Sequence, residues 1–164
     1  MESTGAQGFG AFAGLHPLDD RRLLAASTDG VGTKLMLARE RGALRACGAD
    51  LAAHCINDVI TTGAEPLILL DYVAANAIDL EQVAELVEGA AEVCRAAGVA
   101  LVGGETAELP GTYKEGELDF AGTCVGFARA GVAASVTASR SFVFMVFLPF
   151  KNEDEAARGV LTAR

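Results

Sequence analysis

The stretch Ser27-Thr28-Asp29-Gly30-Val31-Gly32-Thr33-Lys34-Leu35 constrains this chain more than any other. The apolar run Leu23–Ala26 leads into it and reads as a short buried strand ending at Ser27. Two glycines bracket Val31, and a helical pattern begins at Thr33. A glycine-rich turn between strand and helix frees backbone N–H groups and lets a phosphate come close. Lys34 adds a mobile positive charge, and Asp29 offers a carboxylate for magnesium or a hydrogen bond at the strand end. The order differs from the Gly-x-x-x-x-Gly-Lys-[Ser/Thr] of a Walker loop.

Downstream, the pattern alternates helix and strand. The first helix is expected over Thr33–Arg41, with Gly42 past its end. A second helix is expected from Asp50 to Thr62, stopping at Gly63. Ala52, Cys55, Ile56, Val59 and Ile60 form its apolar stripe, and Asp50, His54, Asn57, Asp58 and Thr61 the opposite one. Asn57-Asp58 has poor helix propensity, so a pair kept at local cost marks a candidate site. Asp50 and Asp58 stand two turns apart, about 12 Å along the axis, too far to hold one ion. His54 reads as a surface histidine.

Leu67–Ala75 reads as a central strand with apolar residues on both faces, interrupted by Asp71, a carboxylate that must find a partner or face a polar cavity. Asp79 with Gln82 resembles a capping box and opens a helix to Ala97. Its expected apolar face is Leu80, Val83, Ala84, Val87, Ala90, Ala91 and Cys94, with Glu81, Glu85, Glu88 and Glu92 in solvent. Val99–Val102 reads as a short strand running into the loop Gly103–Gly111, where an α/β sheet places ligands. Tyr113–Glu117 is a polar turn and Leu118–Arg129 a last strand.

At 164 residues the chain suits one domain with a real core. Its formal net charge of −9 argues against a nucleic-acid or anionic-membrane surface, but a phosphate ligand needs only a local cluster. Cys47, Cys55, Cys94 and Cys124 sit at no metal or redox spacing and read as reduced core thiols. With no signal-peptide pattern at the start, the expected location is cytoplasmic. The longest apolar run, Phe142–Phe150, is far short of the ~18 residues of a membrane span.

Asp29-Gly30-Val31-Gly32-Thr33-Lys34-Leu35, Asn57-Asp58, Gly63-Ala64-Glu65-Pro66-Leu67, Leu70-Asp71-Tyr72 and Gly103-Gly104-Glu105-Thr106-Ala107-Glu108 occur in this order. Together they resemble the phosphoribosylformylglycinamidine cyclo-ligase family, the aminoimidazole ribonucleotide synthetases. These share a superfamily with formylglycinamidine synthetase, selenophosphate synthetase, thiamine-phosphate kinase and a hydrogenase maturation protein. The stretch 50–111 favours the cyclo-ligase among them. The resemblance implies ATP-dependent closure of formylglycinamidine ribonucleotide to an imidazole, through a phosphorylated imidate. It implies ATP and Mg2+ as cofactors, with Asp29, Asp58 and Glu105 as carboxylates for magnesium or nucleotide. Lys34 and the amides from Gly30 through Gly32 to Thr33 would hold phosphate oxygens. Gly103 and Gly104 would let the backbone approach the ligand, with Asn57 beside Asp58, and Asp50 and Thr106 as further contacts. The catalytic residues stay unassigned.

The implied fold is α/β (α+β), a mixed sheet covered by helices on one side and forming half of a β-barrel that a second subunit completes. A self-contained α/β domain is the alternative. The family has an N-terminal segment ahead of a Gly-Phe-Gly loop, here Gly8-Phe9-Gly10, and a second domain that completes the substrate site. The expected organisation is a family domain over 1–131 and a tail over 132–164 that does not match the family. The tail's Phe142–Phe150 run is expected to fold back as an improvised strand, and 153–164 to form a short helix. A chain so divided would bind nucleotide without cyclising substrate. Two rival readings are another phosphoryl-transfer enzyme of the superfamily and an incomplete nucleotide-binding or dimerisation module.

Overall fold

A computed structural model describes residues 12–129. The Gly8-Phe9-Gly10 loop and the tail expected over 132–164 lie outside the described residues. Among the described residues five strands and three helices follow in the order β1 (Gly14–Pro17), β2 (Arg22–Gly30), α1 (Lys34–Glu40), α2 (Leu44–Ile60), β3 (Glu65–Ala75), α3 (Leu80–Ala97), β4 (Ala100–Glu108) and β5 (Leu118–Arg129). The sheet order is β1-β2-β5-β3-β4. β5 is antiparallel to both β2 and β3, and β3 is parallel to β4. β2, β3 and β4 therefore run in one direction, with β5 reversed among them.

The strands are two-faced. Along β5, Phe120, Gly122, Cys124, Gly126 and Ala128 are buried beneath the helices, while Thr123, Val125 and Phe127 alternate onto the opposite face. In register with them, β2 contributes Ala25 and Ser27 to the covered side, and β3 contributes Leu69 and Val73. This is the expected mixed sheet with helices on one side, and among the described residues it is not closed. On the open side Leu70 and Phe127 are 38% and 39% exposed, flanked by Leu24, Ile68, Tyr72 and Val125.

α2 begins at Leu44, six residues ahead of the expected Asp50. Gly48 lies inside the added turn. It is where α2 crosses α3: a Cβ on Gly48 would overlap the carbonyl oxygen of Leu86, and one on Gly89 would overlap that of Arg45. The two helices touch backbone to backbone, and a helix glycine is the means. Ile60, assigned to the apolar stripe, is 46% exposed in the last turn, while Leu51, Ala52, Cys55, Ile56 and Val59 are buried. On α3 the buried residues are Leu86, Gly89, Ala90, Val93 and Cys94. Leu80, expected inside, is exposed, because the stripe is rotated toward α2. Asp79 caps α3 as expected, accepting from the amides of Glu81 and Gln82. Glu88 and Glu92 face solvent and reach Arg45 of α2.

β4 carries the largest departure. The expected loop from Gly103 is strand as far as Glu108. Leu101 pairs with Leu69 and Gly103 with Leu70, so Val102 bulges out of register between them. The double glycine read as a strand end, yet among the described residues it lies within β4, which pairs with β3 at the edge of the sheet. The four cysteines are buried free thiols, as expected. Burial pushes Cys55 up to about 12 and Cys124 to about 11, so neither carries a reactive thiolate at neutral pH. No helix among the described residues is long and apolar enough to cross a membrane.

Candidate functional site

The chemistry-bearing residues gather toward the C-terminal ends of β2, β3 and β4. One row crosses four strands on the helix-covered side: Asp29 pairs with Gly122, Gly122 with Asp71, and Asp71 with Gly104. Two strand spacings separate the two aspartates, about 10 Å between their Cα atoms. Gly122 between them lies under Leu51 and Cys55 of α2, and its carbonyl accepts hydrogen bonds from Thr28 Oγ1 (2.9 Å) and Cys55 Sγ (3.4 Å).

The turn after β2 is the strand–glycine–helix junction expected from sequence, but not all of its amides are free. Gly30 N–H donates to Asp29 Oδ1 at 2.8 Å, and Val31 N–H to the Phe120 carbonyl at 2.9 Å. Among the described residues the amides of Gly32 and Thr33 have no partner. Gly32 takes φ +73°, the left-handed region that turns the chain into α1. Lys34 Nζ lies 2.8 Å from Asp50 Oδ2, with both side chains about 40% exposed. Asp50 thus serves α1–α2 docking and neutralises Lys34. The ammonium has three donors and keeps the others for a ligand.

Asp58 does not lie on a solvated stripe. It is half-buried near the end of α2, and its Oδ2 accepts from Ser27 Oγ at 2.8 Å. Asn57 beside it is also half-buried, while His54 is exposed, as expected. Sequence reasoning did not single out Ser27. The signal available was a hydroxyl on the inward alternation of β2, two residues from Ala25 and two from Asp29.

Asp71 lies on the covered side, where its carboxylate fills the space a Cβ on Gly104 would need. That contact explains one of the two glycines expected to admit a ligand. Burial raises the Asp71 pKa above its ordinary 3.8. The folded state then holds its proton to higher pH than the unfolded chain does. Stability tied to this group is complete below the ordinary value and is lost as pH rises through the folded value. Asp71→Asn is therefore expected to match the parent's Tm at acid pH and to exceed it at pH 7, the gain growing as pH rises, measured by thermal melts from acid to neutral pH. A lower Tm at pH 7 would show that the charge is stabilising.

Glu105 pairs with Tyr72, and so belongs to the open side of the sheet, away from Asp29 and Asp58. Its Oε1 accepts from the Thr106 amide at 3.0 Å. Thr106 pairs with Val73, on the covered side. The expected magnesium set of Asp29, Asp58 and Glu105 is thus split between two faces. No group of three potential ligands gathers among the described residues. Asp29 and Asp58 do share a face, and both act on the Cys55 thiol. Among the described residues each keeps one carboxylate oxygen without a partner. Two carboxylates with open oxygens suit Mg2+, which keeps waters and takes phosphate oxygens, rather than a closed protein cage.

Beside the turn, an open cleft of about 730 Å3 runs between α1 and the loop before β5, lined by Gly32, Thr33, Met36, Arg39, Tyr113 and Asp119. The sequence showed only a polar turn here, because the cleft arises from packing a loop against a helix remote in the chain.

Residues 10–128 match the family model "AIR synthase related protein, N-terminal domain". The chain is 53% identical over 125 residues to phosphoribosylformylglycinamidine cyclo-ligase of Thermoanaerobacter sp. (strain X514), covering 75% of this chain and 37% of that one. It is 49% identical over 124 residues to the chloroplastic/mitochondrial cyclo-ligase of Vigna unguiculata, covering 76% and 32%. The chain thus spans about a third of the length of these curated relatives. Among solved structures, T. maritima PurL complexed with ATP superposes with TM-score 0.62 at 22% identity, covering 77% of this chain and 20% of that one. AaThiL complexed with AMPPCP and TMP superposes with TM-score 0.60 at 18% identity, covering 73% and 37%. At that identity the structures establish a shared fold. With the motifs in order along the chain and the family model matched from residue 10 to residue 128, this chain belongs to the AIR synthase related proteins and carries their N-terminal domain.

Proposed function

We propose that this chain supplies the ATP-binding domain for ring closure of formylglycinamidine ribonucleotide to aminoimidazole ribonucleotide, a ligase step of purine synthesis giving ADP and phosphate. About 50% identity to cyclo-ligases over this domain is the observation that carries the reading. Phosphoryl transfer asks mostly for charge neutralisation and alignment. Asp29 and Asp58 face one another's surroundings on the covered side, where a polyphosphate with Mg2+ finds their open oxygens. Magnesium, when bound, supplies charge neutralisation on the transferring phosphoryl group. The free amides of Gly32 and Thr33 and the ammonium of Lys34 bind phosphate oxygens from the turn. The cleft beside the turn accommodates the remainder of the nucleotide. Glu105, on the other face, serves a second contact or a second subunit. We further propose a cytoplasmic homodimer formed through the open side of the sheet.

A second reading rests on the extent of the family match. The match of residues 10–128 to an N-terminal domain also suits a nucleotide-binding or dimerisation module.

ATP with Mg2+ at a hundred times its Kd is expected to raise Tm by about 5 °C or more, by ligand linkage. Asp58→Ala should remove most of that shift, and His54→Ala should leave it intact. Differential scanning fluorimetry reads both. Equal effects from the two variants, or no shift in the parent chain, would count against the nucleotide site. A coupled assay for imidazole product, with this chain as the only protein, separates the ligase from the module.

A further inference from the structure

We propose that Ser27 is a positioning residue: its hydroxyl fixes the Asp58 carboxylate relative to Asp29, so that the two present open oxygens to one polyphosphate-bound cation. This rests on the nucleotide role proposed for Asp58.

Ser27 is 7% exposed and occupies an inward position of β2. Its Oγ lies 2.8 Å from Asp58 Oδ2 and 3.1 Å from the carbonyl oxygen of Phe12. A hydroxyl has one proton and two acceptors compete for it. The carboxylate is the closer and the charged one, and such bonds are about twice as strong as neutral ones. The proton therefore goes to Asp58.

The consequence is geometric. Ser27 and Asp29 alternate onto the same side of one strand, about 7 Å apart along it. Asp58 comes from a helix, on a side chain with two rotatable bonds and, among the described residues, no other hydrogen bond to hold it. The Ser27 hydroxyl ties one oxygen of that carboxylate to the strand that carries Asp29 and leaves the other oxygen open. A buried hydroxyl at a core position is costly unless it makes such a bond. Alanine would fill the same alternation as Ala25 does at lower cost.

The test is a double-mutant cycle on the full chain, with Mg2+-ATP affinity read by calorimetry and apo Tm read separately. Ser27→Ala is expected to weaken Mg2+-ATP binding about tenfold. Ser27→Thr, which keeps the hydroxyl, should stay within about twofold of the parent. Ser27→Cys keeps the volume and gives up most of the hydrogen bond, so it should weaken binding about as much as alanine. In an Asp58→Ala background, Ser27→Ala should cost no further affinity, because there is no carboxylate left to position. A purely structural serine would lower apo Tm with affinity unchanged, or would add its loss in full to that of Asp58→Ala; either result overturns the proposal. If Asp58→Ala itself binds as the parent does, the nucleotide role of Asp58 falls and that of Ser27 falls with it. If Asp58→Ala weakens binding while Ser27→Ala and Ser27→Cys do not, the Ser27 role alone is wrong.

Discussion

Gly48→Ala is expected to destabilise the fold by about 2–3 kcal/mol, although it replaces the second-worst helix former with the best. In an ordinary helix interior this exchange stabilises by roughly 1 kcal/mol. Here the new methyl would overlap the carbonyl of Leu86 and lie 3.1 Å from the amide nitrogen of Ala90. Both are backbone of a regular helix, and backbone cannot swing away as a side-chain tip can. The α2–α3 contact must open, and Leu51, Leu86 and Ala90, all fully buried, lose packing together. The penalty therefore exceeds the propensity gain. Gly42→Ala is the control. Nothing lies within 4 Å of its Cβ position, but φ is +62°, so it should cost only the backbone strain of about 1–2 kcal/mol. Urea melts of the two variants decide the matter. A Gly48→Ala protein as stable as the parent would show that the helices separate at no cost.

The second large effect concerns the open side of the sheet. If the proposed homodimer forms there, Phe127→Asp or Leu70→Asp should convert it to monomer. Each residue is a little under 40% exposed, on the same face as Leu24, Ile68 and Val125. Fully burying such a side chain contributes about 1.5–3 kcal/mol, so burying the part still exposed contributes roughly 0.6–1.2 kcal/mol. A two-fold interface uses each residue twice, so losing that burial removes about 1–2.5 kcal/mol, and each desolvated aspartate adds a further cost on the order of a few kcal/mol. That raises the dimer Kd by a factor on the order of 10^2 or more. Light scattering at micromolar concentration should report a dimer for the parent and a monomer for both variants. A monomeric parent would refute the interface, and dimeric variants would move it to another surface.

What the sequence disclosed depended on whether the deciding partner was local. The cap at Asp79, the β5 strand with its alternation, and the turn at Val31–Thr33 were legible because their causes lie within a few residues, although β2 runs on to Gly30, past the expected end at Ser27. The start of α2 was not. Gly48 breaks a helix by propensity and permits one by its contact with Leu86, 38 residues away, and only the second fact decides. Gly103-Gly104 misled in the same way: it suggested a loop, while the carboxylate of Asp71 on the next strand requires the missing Cβ at Gly104. Candidate site residues were recognisable by type but not by face. Asp29 and Asp58 come to one side, whereas Glu105 is separated from them by the register of β3 against β4. Ser27 escaped notice because a serine on a strand has no meaning until the helix above it is placed.

The position of β5 bears on how the chain can be made. β2 and β3 are complete by residue 75, yet they share no ladder of their own; each waits for the strand that spans 118–129. A nascent chain still short of Leu118 therefore exposes an open edge on each of the two strands β5 will join, and hydrophobic strand edges are prone to pair with the wrong chain. Insertion of β5 joins the two halves in one event, over sequence separations of 43 to about 107 residues. Folding should be slow and late, completed only after residue 129 has left the ribosome. Truncations that end before Leu118 should aggregate rather than leave a smaller folded core, because β2 and β3 then have no strand to join them.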